Sequence, residues 1–147
     1  MRPYLLLVNG PNLNRLGERV PEVYGVQTLA NIVAEARRLA ATFDADVHDF
    51  QSNSEGALID FLQAQGPQAL GIIVNPGALA HYGLSLRDCL EDIHRPTVEV
   101  HISNVHRREA FRQHSVLAEV VDGQVIGLGF RGYLLAARFL LETHSER

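Results

Sequence analysis

The runs YLLLV (Tyr4–Val8) and ALGIIVN (Ala69–Asn75) are almost wholly apolar and do not alternate between two faces. A strand that is apolar on both sides must be covered on both sides, which is the condition of an inner strand in a parallel sheet. Elsewhere the period becomes helical. Residues 27–43 put Leu29, Ile32, Val33 and Ala36 on one face, and EGALIDFLQAQ, LSLRDCLEDI and GYLLAARFLLETH read as further helices. ADVHDFQ and PTVEVHIS supply two more strands. Strand and helix in alternation, joined by short connections, predict an α/β chain: a flavodoxin-like, doubly wound parallel sheet with helices on both faces. The stretch HRREAFRQH reads as a short helix, and AEVVDGQVIGLG as a turn or small hairpin about Asp122 and Gly123.

A chain of 147 residues is expected to form a single domain over residues 1–147. It can bury roughly two-thirds of its unfolded surface, so it needs neither disulfide nor metal to fold. The net charge of −4 and the lack of a polybasic patch argue against nucleic acid or an anionic membrane as partner. No apolar run is long enough to span a bilayer, no signal peptide precedes the first strand, and Cys89 stands alone; a cytoplasmic protein is expected. All thirteen basic residues are arginine. Without lysine, Schiff-base catalysis, a Walker-type phosphate lysine and a pyridoxal attachment are excluded.

In a doubly wound sheet, ligands collect beyond the carboxyl ends of the strands. Unusual residues stand there. After the first strand comes NGPNLNRLGERVPEVYG (Asn9–Gly25), seventeen residues in which three Asn, three Gly and two Pro oppose regular structure. Connectors in compact domains usually need about 4–6 residues, so this length asks for a purpose. Asn53, Asn75 and Asn104 follow later strands. Any one of them suits a cap or turn; together they suit a small polyhydroxylated or carboxylated ligand.

TVEVHISN adds a polar row. The two-residue period sends Val98, Val100 and Ile102 to one side and Glu99, His101 and Ser103 to the other. This marks either an edge strand facing water or a site. A carboxylate two residues before an imidazole orients it and favours its protonated form, which makes His101 a candidate general acid supported by Glu99. His81, His101 and His106 lack the spacing of a metal site, and no G-x-G-x-x-G loop or nucleophile elbow occurs. A flavodoxin-like module holding a nucleotide or flavin would want a Ser/Thr/Gly phosphate loop after the first strand, whereas this loop contains neither Ser nor Thr and offers Asn, Arg and Tyr.

With NGPNLNRLGERVPEVYG, QSNSEG, NPGALAH, LRD, HISN and REAFRQHS in this order, almost the whole chain resembles the type II 3-dehydroquinate dehydratases. The resemblance implies loss of water from 3-dehydroquinate to give 3-dehydroshikimate, a step toward chorismate and the aromatic amino acids, with no metal and no organic cofactor. It implies that residues 10–26 form an active-site lid on which Tyr24 is the base and Arg19 favours its phenolate. It gives the enolate oxygen to a water held near Asn12, and departure of the hydroxyl to His101 with Glu99. The substrate carboxylate falls to Asn75, the backbone at Ile102 and Ser103, and the Ser103 hydroxyl; the ring hydroxyls fall to His81, Asp88 and Arg112. Arg108 is either a contributor or an exposed helix charge. Assembly as a dodecamer of four trimers, with Asp88 reaching a neighbouring subunit's site, is likewise implied. The segment HYGLSLR departs from the more usual Thr- and Ser-rich version, at Tyr82 and Gly83.

Overall fold

The computed structural model describes residues 2–146. Five strands form one parallel sheet: β1 (Tyr4–Asn9), β2 (Asp46–Gln51), β3 (Gly71–Asn75), β4 (Thr97–His101) and β5 (Gly123–Ile126). Their order is β2-β1-β3-β4-β5, the doubly wound arrangement, with its switch point between β1 and β3. Among the described residues the helices are α1 (Pro21–Tyr24), a single turn, then α2 (Leu29–Ala41), α3 (Glu55–Gln65), α4 (Leu84–Ile93) and α5 (Arg131–Ser145). None of them is long and apolar enough to cross a membrane.

The two apolar runs behave as their composition requires. Every residue of β1 and β3 is buried. Leu5, Leu7 and Ile73 face α2 and α5, while Leu6, Val8, Ile72 and Val74 face α3 and α4. Truncating a fully buried leucine such as Leu7 to alanine costs roughly 2–5 kcal/mol, so both layers are specified by the same short strands.

Helix starts are fixed by side chains. The Thr28 hydroxyl accepts from the Asn31 N–H at the head of α2, and the Ser54 hydroxyl accepts from the Ala57 N–H at the head of α3. The head of α4 has no cap of its own; Glu55 on α3 accepts from the Leu86 N–H at 2.9 Å.

Two expectations fail in the crossover from β4 to β5. HRREAFRQH contains no α-helix; it holds two 3-10 turns, Val105–Arg107 and Ala110–Gln113. It lacks an apolar stripe, and its large apolar residue, Phe111, is exposed. Asp122 and Gly123 do not turn a hairpin. The Asp122 carboxylate accepts from the Thr97 N–H at 2.7 Å, and its own N–H donates to the Thr97 carbonyl, which starts β5 beside the start of β4 and parallel to it.

Gly10 and Gly77 show how closely the chain packs at the switch point. A Cβ on Gly10 would lie 2.4 Å from the Pro76 carbonyl oxygen, and Gly77, at φ 59°, would put one 2.9 Å from that of Pro11. The exits of β1 and β3 thus run against each other, at the place where a ligand would bind.

Candidate active site

β4 lies between β3 and β5, so its polar row is not a wet edge. Glu99 is completely buried and His101 nearly so. The His101 Nε2 stands 2.6 Å from one Glu99 oxygen. Ser115 donates to both Glu99 oxygens, at 2.8 and 3.0 Å, and the Gln124 amide donates to one at 2.9 Å. Burial acts to raise the Glu99 carboxyl, but the bonds from His101, Gln124 and Ser115 outweigh it and hold the group below its ordinary 4.5. Glu99 is therefore an anion that fixes Nε2–H of the ring and leaves Nδ1 to act on a ligand.

The loop after β1 supplies the opposite wall. Tyr24, at the end of α1, accepts a hydrogen bond from Arg108 Nη1 at 2.7 Å, and Arg19 lies over the ring face, 4.5 Å from its centre. Two guanidinium groups thus attend one phenol. A donated N–H from a cation stabilises a phenolate oxygen more than a neutral hydroxyl. Arg108 also donates to the Ser103 hydroxyl at 3.3 Å, which ties the loop to the end of β4.

Asn75 ends β3 with its side chain among buried groups: Nδ2 donates to the Tyr133 hydroxyl at 2.8 Å and Oδ1 accepts from the Gly77 N–H at 3.1 Å. His81 Nδ1 meets the carbonyl of His114 at 2.8 Å; a carbonyl only accepts, so Nδ1 carries a proton and Nε2 is the nitrogen left free for a ligand. Arg112 pairs with Glu109 at 2.8 Å.

One cavity is lined by Asn12, Arg19, Tyr24, Asn75, His81, His101, Ile102, Ser103, Arg108 and Arg112. Of the residues expected from sequence, Glu99 stands behind His101 rather than on the wall, and Asp88 is elsewhere. Asp88 is exposed on α4 and does not line its own chain's cavity. Asn53 and Asn104 are structural: Asn53 accepts from the Asn12 N–H at 3.0 Å, and Asn104 caps a turn through the His106 N–H. Arg108 faces the phenol and is no mere helix charge. Asn9, Ser115, Gln124 and Tyr133 went unread in the sequence; only the first stands at a strand end. A larger hollow of about 580 Å³ lies at the other end of the sheet, by Leu90, His94 and Asp122, without such convergence of groups. No group of three His, Cys, Asp or Glu side chains suited to a metal occurs among the described residues.

A profile of the family Dehydroquinase class II matches residues 3–141. The chain belongs to the class II dehydroquinases. This class II dehydroquinase is 57% identical over 142 residues to the 3-dehydroquinate dehydratase of Roseiflexus castenholzii, covering 97% of this chain and 90% of the relative. It is 50% identical over 143 residues to that of Bacillus subtilis, covering 97% of both chains. Its backbone is similar to the crystal structure of type II dehydroquinase from Propionibacterium acnes, with TM-score 0.91 and 38% identity over 97% of this chain and 98% of that one.

Proposed function

We propose that this class II dehydroquinase is a 3-dehydroquinate dehydratase, a hydro-lyase of the shikimate pathway that forms 3-dehydroshikimate through an enolate. One observation carries the reading: a phenol held by Arg108 and an imidazole held by Glu99 line the same cavity. An elimination of water needs one group to take a proton and another to give one.

In this proposal the Tyr24 phenolate removes a proton from the carbon beside the ketone, and the C–H electron pair becomes the enolate. Arg108 and Arg19 stabilise the phenolate before the transfer. The enolate oxygen is met by donors near Asn12. The enolate then reforms the ketone and expels the hydroxyl, which leaves as water with the proton from His101 Nδ1. Glu99 remains an anion throughout and stabilises the imidazolium that Nδ1 needs. Asn75, the backbone at Ile102 and Ser103, and the Ser103 hydroxyl receive the substrate carboxylate; His81 and Arg112 receive ring hydroxyls.

The same proposal treats residues 1–147 as one cytoplasmic catalytic domain with a lid at about residues 10–26. It places Asp88 in a neighbouring subunit's site within a dodecamer of four trimers. The exposure of Tyr82 and Leu84, beside and within the helix that bears Asp88, supports contact with another subunit.

Addition of 3-dehydroquinate to the purified protein should produce the ultraviolet absorbance of a conjugated enone. Turnover should also survive borohydride added with substrate, because no lysine can form an imine. No absorbance, or borohydride inactivation that depends on substrate, would refute the proposal. A monomeric mass by light scattering in fully active protein would refute the assembly.

A further inference from the structure

The floor of the site contains a chain of three buried polar side chains, of which the proposed reaction uses only Asn75 directly. Asn9 and Asn75 end β1 and β3 directly opposite each other, with both side chains toward α5. Between them stands Tyr133, wholly buried near the start of α5. Its hydroxyl donates to Asn9 Oδ1 at 2.6 Å and accepts from Asn75 Nδ2 at 2.8 Å.

These bonds have only one consistent direction. The backbone N–H of Gly77 can only donate, so the Asn75 atom it meets at 3.1 Å is the oxygen. The nitrogen of Asn75 then faces Tyr133 and donates to it. The hydroxyl proton of Tyr133 is left for Asn9, whose oxygen receives it. Burial pushes the Tyr133 phenol far above its ordinary 10, an effect the bond from Asn75 only partly offsets, so the hydroxyl keeps its proton. With Oδ1 and one N–H committed, Asn75 has one N–H left, and Asn75 lines the cavity.

We infer that Tyr133 is a positioning residue that, together with the Gly77 N–H on the amide oxygen, holds the Asn75 amide so that it offers the site a donor and never an acceptor, and thereby makes the site selective for a carboxylate. An amide free to turn would present its oxygen to an anion part of the time. The lock removes that state without touching the ligand. The inference rests on the proposed contact between Asn75 and the substrate carboxylate.

The test compares wild type, Tyr133→Phe, Asn75→Ala and the double variant. Each is assayed for kcat and KM with 3-dehydroquinate, and by calorimetry with a cyclohexane polyol carboxylate and its neutral carboxamide. Tyr133→Phe should raise KM about tenfold, as expected if the Asn75 bond to the charged carboxylate is lost with its orientation, while kcat stays within about threefold. It should also flatten the preference for carboxylate over carboxamide, and the double variant should be no worse than Asn75→Ala. Asn9→Ser, a milder change at the other end of the chain of bonds, should raise KM in the same direction and serves as the arbiter if Tyr133→Phe does not fold. A lowered melting temperature with unchanged KM and unchanged carboxylate preference, in either variant, would overturn the inference, as would additive losses in the double variant. Wild type that binds the carboxylate but never turns over 3-dehydroquinate would instead sink the dehydratase reading, and the calorimetric comparison would still judge Tyr133.

Discussion

The two walls of the cavity are built by different means. Glu99, His101 and Asn75 sit at strand ends, buried, with each polar atom of Glu99 and the Asn75 oxygen matched by a named partner. The Tyr24 wall is a loop. Its short helix α1 has no buried residue, and Asn12 and Val20 sit in left-handed backbone at φ 70° and 37°. For a β-branched residue such as Val20 that conformation costs on the order of 1–3 kcal/mol. The sheet wall is preorganised by its core; the loop wall is rooted by buried Leu13 and Leu16 and the Asn53 clamp, but around α1 it is tied to the rest of the site chiefly by the Arg108 bond.

The hardest way to break this comparison is to remove the phenol oxygen that the proposal makes the base. Tyr24→Phe should lower kcat by about 10²–10⁴ while ligand affinity measured by calorimetry hardly changes. Exchange of the abstracted proton with solvent deuterium, followed by NMR, should vanish with it; exchange at the wild-type rate would transfer the base to another group.

On the sheet wall, Glu99→Gln should lower kcat by about 10²-fold, because the imidazolium loses its counter-charge. The pH dependence of stability follows from the depressed Glu99 value. Its contribution is complete above 4.5, the ordinary value, and is lost as pH falls through the lower native one. Urea midpoints of wild type and Glu99→Gln should therefore stay apart near neutral pH and converge in acid. A gap that is constant down to the onset of acid unfolding would show that the native carboxylate is not stabilised by its partners.

A sharper comparison lies between the two arginines. Arg108→Met removes a direct bond to the phenol oxygen and should cost about 10²-fold in kcat. Arg19→Met removes a contact with the ring face, worth about 0.5–2 kcal/mol, and should cost less. The reverse order in steady-state assays would make Arg19 the principal partner of the phenolate. The smallest effect belongs to Asn53→Ala, which frees the Asn12 N–H and should cost about 0.5–1.5 kcal/mol in a urea titration. An unchanged midpoint would mean that the root of the loop is held by other bonds.

The same division decided what could be read in advance. Strands β1 and β3 were legible because nothing but two-sided burial explains Tyr4–Val8 and Ile72–Val74, and Glu99 with His101 stood out by breaking that rule. The expected wall residues other than Asp88 fell around one cavity because strand ends converge in a doubly wound sheet. Arg108 and Tyr24 are 84 positions apart, so spacing says nothing of their bond, and the weight fell on nearby Arg19. Ser115 and Gln124 reach Glu99 across 16 and 25 positions. Tyr133 reads in sequence as one more apolar residue of an amphipathic helix; only its hydroxyl, which periodicity ignores, ties it to the site. The 3-10 turns and β5 were missed because short elements take their conformation from neighbours, as Asp122 takes its own from Thr97.

The bond between Asn9 and Tyr133 joins positions 124 apart. On a ribosome adding about 5–20 residues per second, some 6–25 s separate the synthesis of these two residues. For all that interval the Asn9 side chain lacks its Tyr133 partner, and the central strand that bears it lacks the helix that is to cover one of its faces. Every truncated product ending before α5 therefore carries Tyr24, Glu99 and His101 in its sequence without the buried support beneath Asn75, which arrives late, with one of the last segments translated.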